Sequence, residues 1–227
     1  MSNIIESSHR LSPARKAWLF LRLLSRPALA RRLATLVTEG YLAQTGWMRS
    51  AATDSVVDAC GAPVPWATLP FIDFLTPRLQ PHWHVFEFGA GASTLYYARY
   101  VRSVIAVEHD EEFARRLCPR LPAHVRLLVR ARGSPDYANA MAALDVAPEM
   151  ASVDGRDRVR CVQAAIPFLA LGGVLVLDDS ERIEYKPAVA DLLTAGFRQL
   201  EFWGVAPGRV ERKCTSIFYR RDNVLDL

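Results

Sequence analysis

From residue 85 onward, short continuous apolar runs alternate with helical stretches, and this alternation restricts the fold more than any other feature. The runs Val85–Phe88, Ser103–Glu108, Val125–Val129, Ala151–Asp154 and Val174–Leu177 read as strands. Between them the pattern predicts helices near Ser93–Val101, Glu111–Leu117, Asp157–Leu169 and Pro187–Ala195. Val159, Val162, Ile166 and Leu169 fall at spacings of 3, 4 and 3, the stripe of a helix with one buried side. Strands that are apolar throughout, rather than at every second position, belong to a parallel sheet covered on both faces. Two further strands are predicted at Arg198–Phe202 and Ser216–Tyr219. The expected class is α/β, a Rossmann-like, mostly parallel sheet with helices on both faces.

The segment before this pattern is different. Ser12-Pro13 makes a good helix start, a capping hydroxyl followed by proline in the first turn. At about 100° per residue, Arg15, Arg22 and Arg26 share one side of the helix that follows. Ala17, Trp18, Phe20, Leu21 and Leu24 are expected on the other. Pro27 interrupts it, and a second helix is predicted from Leu29 to Tyr41. The three prolines of Cys60 to Pro70 predict irregular chain. This gives an N-terminal helical extension over residues 1–60 and a main domain over 61–227.

Charge follows the same division. The 227 residues carry a net +4, but residues 1–32 alone carry +6 and the remainder −2. The main domain therefore has no global signature for nucleic acid. A basic amphipathic helix can lie on an anionic lipid surface, so residues 12–32 point to peripheral membrane contact, with packing on protein as the alternative. The apolar run Ala17 to Leu21 is far short of the roughly 20 residues of a membrane span. The polar start predicts no secretory signal. Cys60, Cys118, Cys161 and Cys214 are too widely spaced for a metal knuckle or a disulfide framework. Reduced thiols in a cytoplasmic protein, peripheral at most to the inner membrane face, are the expectation.

The stretch HVFEFGAGASTLYYARYVRSVIAVEHDEEF carries the chemistry. A strand runs into Gly89-Ala90-Gly91, and a helix is predicted to open near Ser93. Glycine lets the chain turn sharply and approach a ligand closely. Free N–H groups at the helix start favour an anionic group. Glu108 ends the next strand, 17 residues after Gly91, where a carboxylate can accept from two ribose hydroxyls. A dinucleotide fingerprint asks for a third glycine where Thr94 stands. The acidic opening at Glu87 suits the cationic end of a methionine moiety instead. The alternative without a ligand is a tight strand–helix turn.

With these residues the sequence resembles the class I S-adenosylmethionine (SAM)-dependent methyltransferases, and more narrowly a bacterial group of small methyltransferase-like proteins. The matching stretches are GYLAQTGW, PVPWATLPFIDFL, VFEFGAGAST, VIAVEHD, VDGRDRVRC, GGVLVLDDS and CTSIFY. The resemblance implies a seven-stranded sheet with the last strand antiparallel to its neighbours. It implies SAM as cofactor, with Glu87, Gly89, Ala90, Gly91, Ser93 and Thr94 lining the pocket and Glu108 on the ribose. Asp136 or Tyr137 would lie near the adenine.

Ligands of open α/β sheets bind beyond the carboxyl ends of the strands. Asp154 ends the fourth strand, and Asp178 and Asp179 end the fifth. Methyl transfer to a hydroxyl needs alignment and removal of a proton, and Asp154 suits the second task. A divalent cation on Asp154, Asp178 and Asp179 is the alternative, similar to the catechol-type O-methyltransferases, whose pair after the fifth strand is Asp-Asn rather than Asp-Asp. Against the cation stand contacts of Asp178 and Asp179 with Ser180, Arg182 or backbone amides; against a functional role for Asp154 stand a capping role for Asp157 and a bridge from Arg158 to a neighbouring carboxylate. His109 reads as a loop histidine. Trp66 and Phe71 read either as a lid over the cofactor or as packing on the sheet. The expected function is SAM-dependent O-methylation of a small molecule or glycan. The alternatives are a catalytically silent SAM-fold scaffold and an NAD(P)-dependent oxidoreductase.

Overall fold

Proline placement fixes how the chain begins. A computed structural model describes residues 12–227, so Arg10 and the polar start lie outside the described residues. Helix α1 spans Pro13–Leu24, and the Ser12 hydroxyl accepts from the Arg15 N–H at 3.3 Å, as a capping serine should. Pro27 does more than interrupt α1: it opens helix α2, Pro27–Thr38, from a first-turn position where its missing N–H costs nothing. A single turn, α3, covers Tyr41–Gln44. Trp18 is not opposite the arginines as expected. It stands four residues before Arg22, and the guanidinium lies 5.2 Å from the indole centroid.

The chain divides into two compact units, residues 1–44 and 45–227. The boundary read from the sequence at residue 60 falls inside the second. Residues 45–60 are tied into that unit by helix α4, Trp47–Thr53. Its Trp47 indole N–H donates to the Arg209 carbonyl at 2.6 Å. Helix α5, Leu69–Leu75, follows the irregular proline-rich stretch and starts with Pro70 in its first turn.

The second unit is built on seven strands: β1 His84–Phe88, β2 Ser103–Glu108, β3 Val125–Val129, β4 Met150–Val153, β5 Val174–Asp178, β6 Arg198–Gly204 and β7 Lys213–Tyr219. Their order is β3-β2-β1-β4-β5-β7-β6. The first five are mutually parallel, and β7 is antiparallel to both β5 and β6. The helices are α6 Ala92–Tyr97, α7 Glu111–Leu117, α8 Pro135–Ala138, α9 Arg158–Ala165 and α10 Lys186–Thr194. The predicted helix over 157–169 is shorter as α-helix, because Pro167 tightens its end into a 3₁₀ turn at Ile166–Phe168. Asp157 does not cap it. Its backbone is left-handed, and its carboxylate instead accepts from the Gly133 N–H at 2.9 Å.

Two apolar cores cover the two faces. Phe86, Phe88, Val153, Leu175 and Leu177 pack against α9 and α10 residues such as Val162 and Leu192. Val85, Val104, Met150, Val174 and Val176 pack with Phe71 of α5 and with Tyr96 and Tyr97 of α6. Successive strand side chains point to opposite faces. Glu87 therefore shares the α5–α6 face with Val85, Glu108 shares it with Val104, and Asp178 shares it with Val176. Three carboxylates reach the same side of the same sheet edge. All seven strands and the antiparallel β7 agree with the expectation.

Candidate functional site

The strand order reverses between β1 and β4, and open α/β sheets bind ligands at such a point. Here the two backbones nearly touch. Gly89 follows β1 with φ +92°, and a Cβ on it would come within 2.7 Å of the Gly155 Cα. A Cβ on Gly155 would meet the Gly89 nitrogen at 2.9 Å and the Tyr137 hydroxyl at 2.4 Å. Both positions require glycine. Gly91 differs. Its backbone is extended, and a Cβ there would meet nothing within 4 Å, so open space lies above the turn.

A cavity of about 610 Å³ lies beside the turn, at the carboxyl ends of the strands. Gly89, Ala90, Ser93, Glu108 and His109 line one side; Asp154, Asp178, Asp179, Lys213 and the arginines 158, 182, 209 and 212 line the other. Of the residues predicted to bind a cofactor, the structure therefore places Gly89, Ala90, Ser93 and Glu108 on the wall. Glu87, Gly91 and Thr94 are not on it.

Glu87 and Thr94 are fully buried one layer beneath the turn. The Thr94 hydroxyl donates to Glu87 Oε2 at 2.6 Å and accepts from the Gly91 N–H at 2.9 Å. Glu87 Oε1 is buried and has no partner among the described residues. Burial pushes the Glu87 carboxyl up to about 7, against the lowering effect of the nearby Ser93 and Thr94 hydroxyls and with a further rise from Glu108. Thr94, where a dinucleotide fingerprint wants glycine, locks this acid under the loop.

Glu108 organises the opposite side. Its Oε2 accepts from the Ala90 N–H at 3.1 Å, and its Oε1 accepts from the His109 and Asp110 N–H groups at 2.7 and 2.9 Å. His109 Nδ1 lies 2.6 Å from Glu108 Oε1, a close approach without good hydrogen-bond alignment. Asp136 is a correction. It sits exposed in the first turn of α8, away from the cavity. Tyr137 beside it is buried, and its hydroxyl accepts from the Arg156 N–H at 3.3 Å. The charged 130–137 loop carries Asp136 outward while Tyr137 points in.

The three aspartates do meet, but each has a cationic partner. Arg158 Nη2 donates to Asp154 Oδ1 at 2.8 Å, and Arg158 Nη1 lies 3.4 Å from Asp179 Oδ2. Lys213 Nζ lies 2.5 Å from Asp178 Oδ2 and 2.8 Å from Asp179 Oδ1. Arg182 Nη2 adds a contact of 2.7 Å to Asp179 Oδ2. The Thr215 hydroxyl donates to Asp178 Oδ1 at 2.7 Å. Burial lowers the proton affinity of Lys213, but Asp178 and Asp179 outweigh it and hold the ammonium above the usual lysine range.

These protein cations stand where the alternative reading placed a divalent metal. Among the described residues, no group of three or more His, Cys, Asp or Glu side chains is placed to hold one. The sequence signal for Arg158 was its i,i+4 spacing from Asp154. Lys213 gave no such signal, because β7 brings it across the sheet edge only in the fold.

Asp154 keeps a free face. Arg158 takes Oδ1, Oδ2 has no protein partner among the described residues, and the side chain is 30% exposed at the cavity floor. Enclosure by protein, then the neighbouring Asp178, push its carboxyl well above the usual carboxylate range, against the pull of Arg158 and Lys213. Trp66 lines the cavity mouth and Phe71 is buried in the core. Of the two, Trp66 alone is placed to cover a ligand.

No family model matches the chain, and no curated protein matches it. Its fold does match solved structures. A methyltransferase-like protein from Silicibacter pomeroyi superposes with a TM-score of 0.52 and 21% identity, over 70% of this chain and 90% of that one. Precorrin-6y C5,15-methyltransferase from Geobacter metallireducens gives 0.51 and 16%, over 66% and 86%. A methyltransferase from Pyrococcus furiosus gives 0.50 and 18%, over 78% and 94%. The strand order, the antiparallel β7 and these likenesses agree: the chain has the Rossmann-like methyltransferase fold.

Proposed function

We propose that the protein is a SAM-dependent methyltransferase acting on an oxygen of a small molecule or glycan. The observation that carries the cofactor is the pair of acids around the glycine turn. Glu108 lines the cavity as a hydrogen-bond acceptor, and Glu87 Oε1, buried beneath the turn, has no donor among the described residues. A ligand with ribose hydroxyls would answer the first, and a cationic amine above the turn would be attracted by the charge of the second without touching it. Gly89, Ala90 and Ser93 would cradle such a ligand. When bound, SAM supplies an electrophilic methyl group on a sulfonium.

The chain's own residues do the rest. Asp154, with Oδ2 free and its proton affinity raised, accepts the acceptor's hydroxyl proton better than an ordinary carboxylate would. Arg158 fixes its orientation through Oδ1. Trp66 limits water at the mouth. No metal enters this scheme.

The cofactor assignment is tested by calorimetric titration with S-adenosylhomocysteine and, separately, NAD. An ammonium held above the turn, near Glu87, favours its ionised form. Affinity for S-adenosylhomocysteine is therefore expected to rise as pH passes upward through about 7 and to fall below it. Glu87→Gln should bind more weakly at pH 8 and lose this dependence. Binding of NAD without S-adenosylhomocysteine would replace this reading with the oxidoreductase one, and binding of neither would leave a scaffold.

The peripheral membrane contact is a separate part of the proposal. No residue of α1 is buried, and no helix among the described residues is long and apolar enough to cross a membrane. Arg15, Lys16, Arg22 and Arg26 with Phe20, Leu21 and Leu24 suit an anionic lipid interface. The full chain should pellet with phosphatidylglycerol–phosphatidylcholine vesicles at low salt and be released at high salt. A protein that stays in the supernatant at low salt does not make this contact.

A further inference from the structure

Arg156 apart, the cations of the cavity fall into two sets. Arg158, Arg182 and Lys213 are matched by Asp154, Asp178 and Asp179. Arg209 and Arg212, on the loop between β6 and β7, line the same cavity and join no ion pair among the described residues. Glu211 stands between them in sequence and lines the same cavity, but among the described residues it pairs with neither.

Both unpaired guanidiniums are nevertheless held in place. The Arg209 guanidinium lies 4.6 Å from the Trp66 ring centroid, and that of Arg212 lies 4.1 Å from the Trp203 ring centroid. Stacking on an aromatic face leaves the N–H edge of a guanidinium free to bind in its plane. The loop itself is anchored. Trp47 donates to the Arg209 carbonyl at 2.6 Å, and at Gly208, where φ is +70°, a Cβ would come within 3.0 Å of the Ala51 nitrogen. Two positioned forks that no carboxylate contacts among the described residues, on the wall of a cavity, can receive an external anion. Two free guanidinium edges suit a group carrying close to two negative charges, as phosphate does near neutral pH. Paired forks also match its several oxygens.

We infer that the outer part of the cavity is a phosphate site formed by Arg209 and Arg212. Resting on the methyl-transfer reading, this makes the acceptor a phosphate-bearing molecule, its phosphate held at the mouth and its hydroxyl directed inward to Asp154. The test uses the full chain at constant ionic strength and reads tryptophan fluorescence during titration with inorganic phosphate, with acetate in a parallel arm. Saturable binding of phosphate, at least tenfold weaker in Arg209→Gln/Arg212→Gln, is the expected result, because charge-assisted hydrogen bonds carry about that much each. The variant should keep the wild-type affinity for S-adenosylhomocysteine, which shows that it folds. No saturable binding of phosphate, equal binding by the variant, or acetate binding as tight as phosphate would overturn the inference. Phosphate binding in a chain that binds no S-adenosylhomocysteine keeps the anion site and removes the methyl-transfer reading.

Discussion

Replacing Glu108 by alanine is expected to weaken S-adenosylhomocysteine binding tenfold or more, measured by calorimetry on folded protein. The side chain has two tasks. In the proposed site it accepts from ribose hydroxyls, and hydrogen bonds to a charged group contribute roughly 1.5–3 kcal/mol each. It also accepts from the N–H groups of Ala90, His109 and Asp110. Alanine removes the acceptor for all three and loosens the turn that lines the cavity. Glu108→Gln separates the tasks, because its carbonyl oxygen still accepts while its amide repels the backbone donors. An intermediate loss in Glu108→Gln fits this account. Unchanged affinity in Glu108→Ala takes the residue out of the site.

The largest effect on stability is expected at Arg158. Arg158 is 9% exposed, and its guanidinium lies among Asp154, Asp178 and Asp179. Removing one partner of a buried ion pair leaves uncompensated charge and typically costs about 3–5 kcal/mol. Arg158→Met keeps much of the stem and removes the charge, so urea denaturation at pH 8 should show a loss of that size. The pH dependence gives a second reading. Without Arg158 the carboxylates hold protons more tightly in the folded state, so the loss should shrink as pH falls and those groups take up protons. A loss that is small, or one that does not change with pH, would mean that Lys213 and Arg182 neutralise the cluster unaided.

Much of the second unit was legible because parallel strands buried on both faces must be apolar along their whole length. Val174–Leu177 and Ser103–Glu108 are instances. The glycine turn was legible for a related reason: Gly89 has no room for a side chain. Helix α5 was harder to see because Pro63, Pro65 and Pro70 mark its neighbourhood as irregular, although Pro70 in a first turn is compatible with helix. The depth of Glu87 was readable in principle. It alternates with Phe86 and Phe88, so it shares the Val85 face and goes under α6 rather than over the turn. Asp136 and Tyr137 could not be ranked, since one rotation of a short helix decides which points inward. The ion network was hidden for another reason. Arg158, Arg182 and Lys213 come from three segments, and only the order β4-β5-β7 makes them neighbours. The arginines of the β6–β7 loop are likewise invisible as a pair until Trp66 and Trp203 hold them.

The near contact of Gly89 with Gly155 sets when the ordering of the turn takes place. A turn wedged by backbone against backbone, with the Tyr137 hydroxyl closing the third side, has few other conformations to visit. The conformational entropy of that loop is then lost during folding rather than at ligand capture. Association at this half of the cavity should behave as docking onto a rigid surface, with little coupled ordering in its heat-capacity change. Gly89 also ties the end of β1 to the residue that follows Asp154, so a shift of the turn displaces the proposed base as well. In the proposed reaction, recognition of the donor and alignment of the acceptor's proton are, through one pair of glycines, a single mechanical adjustment.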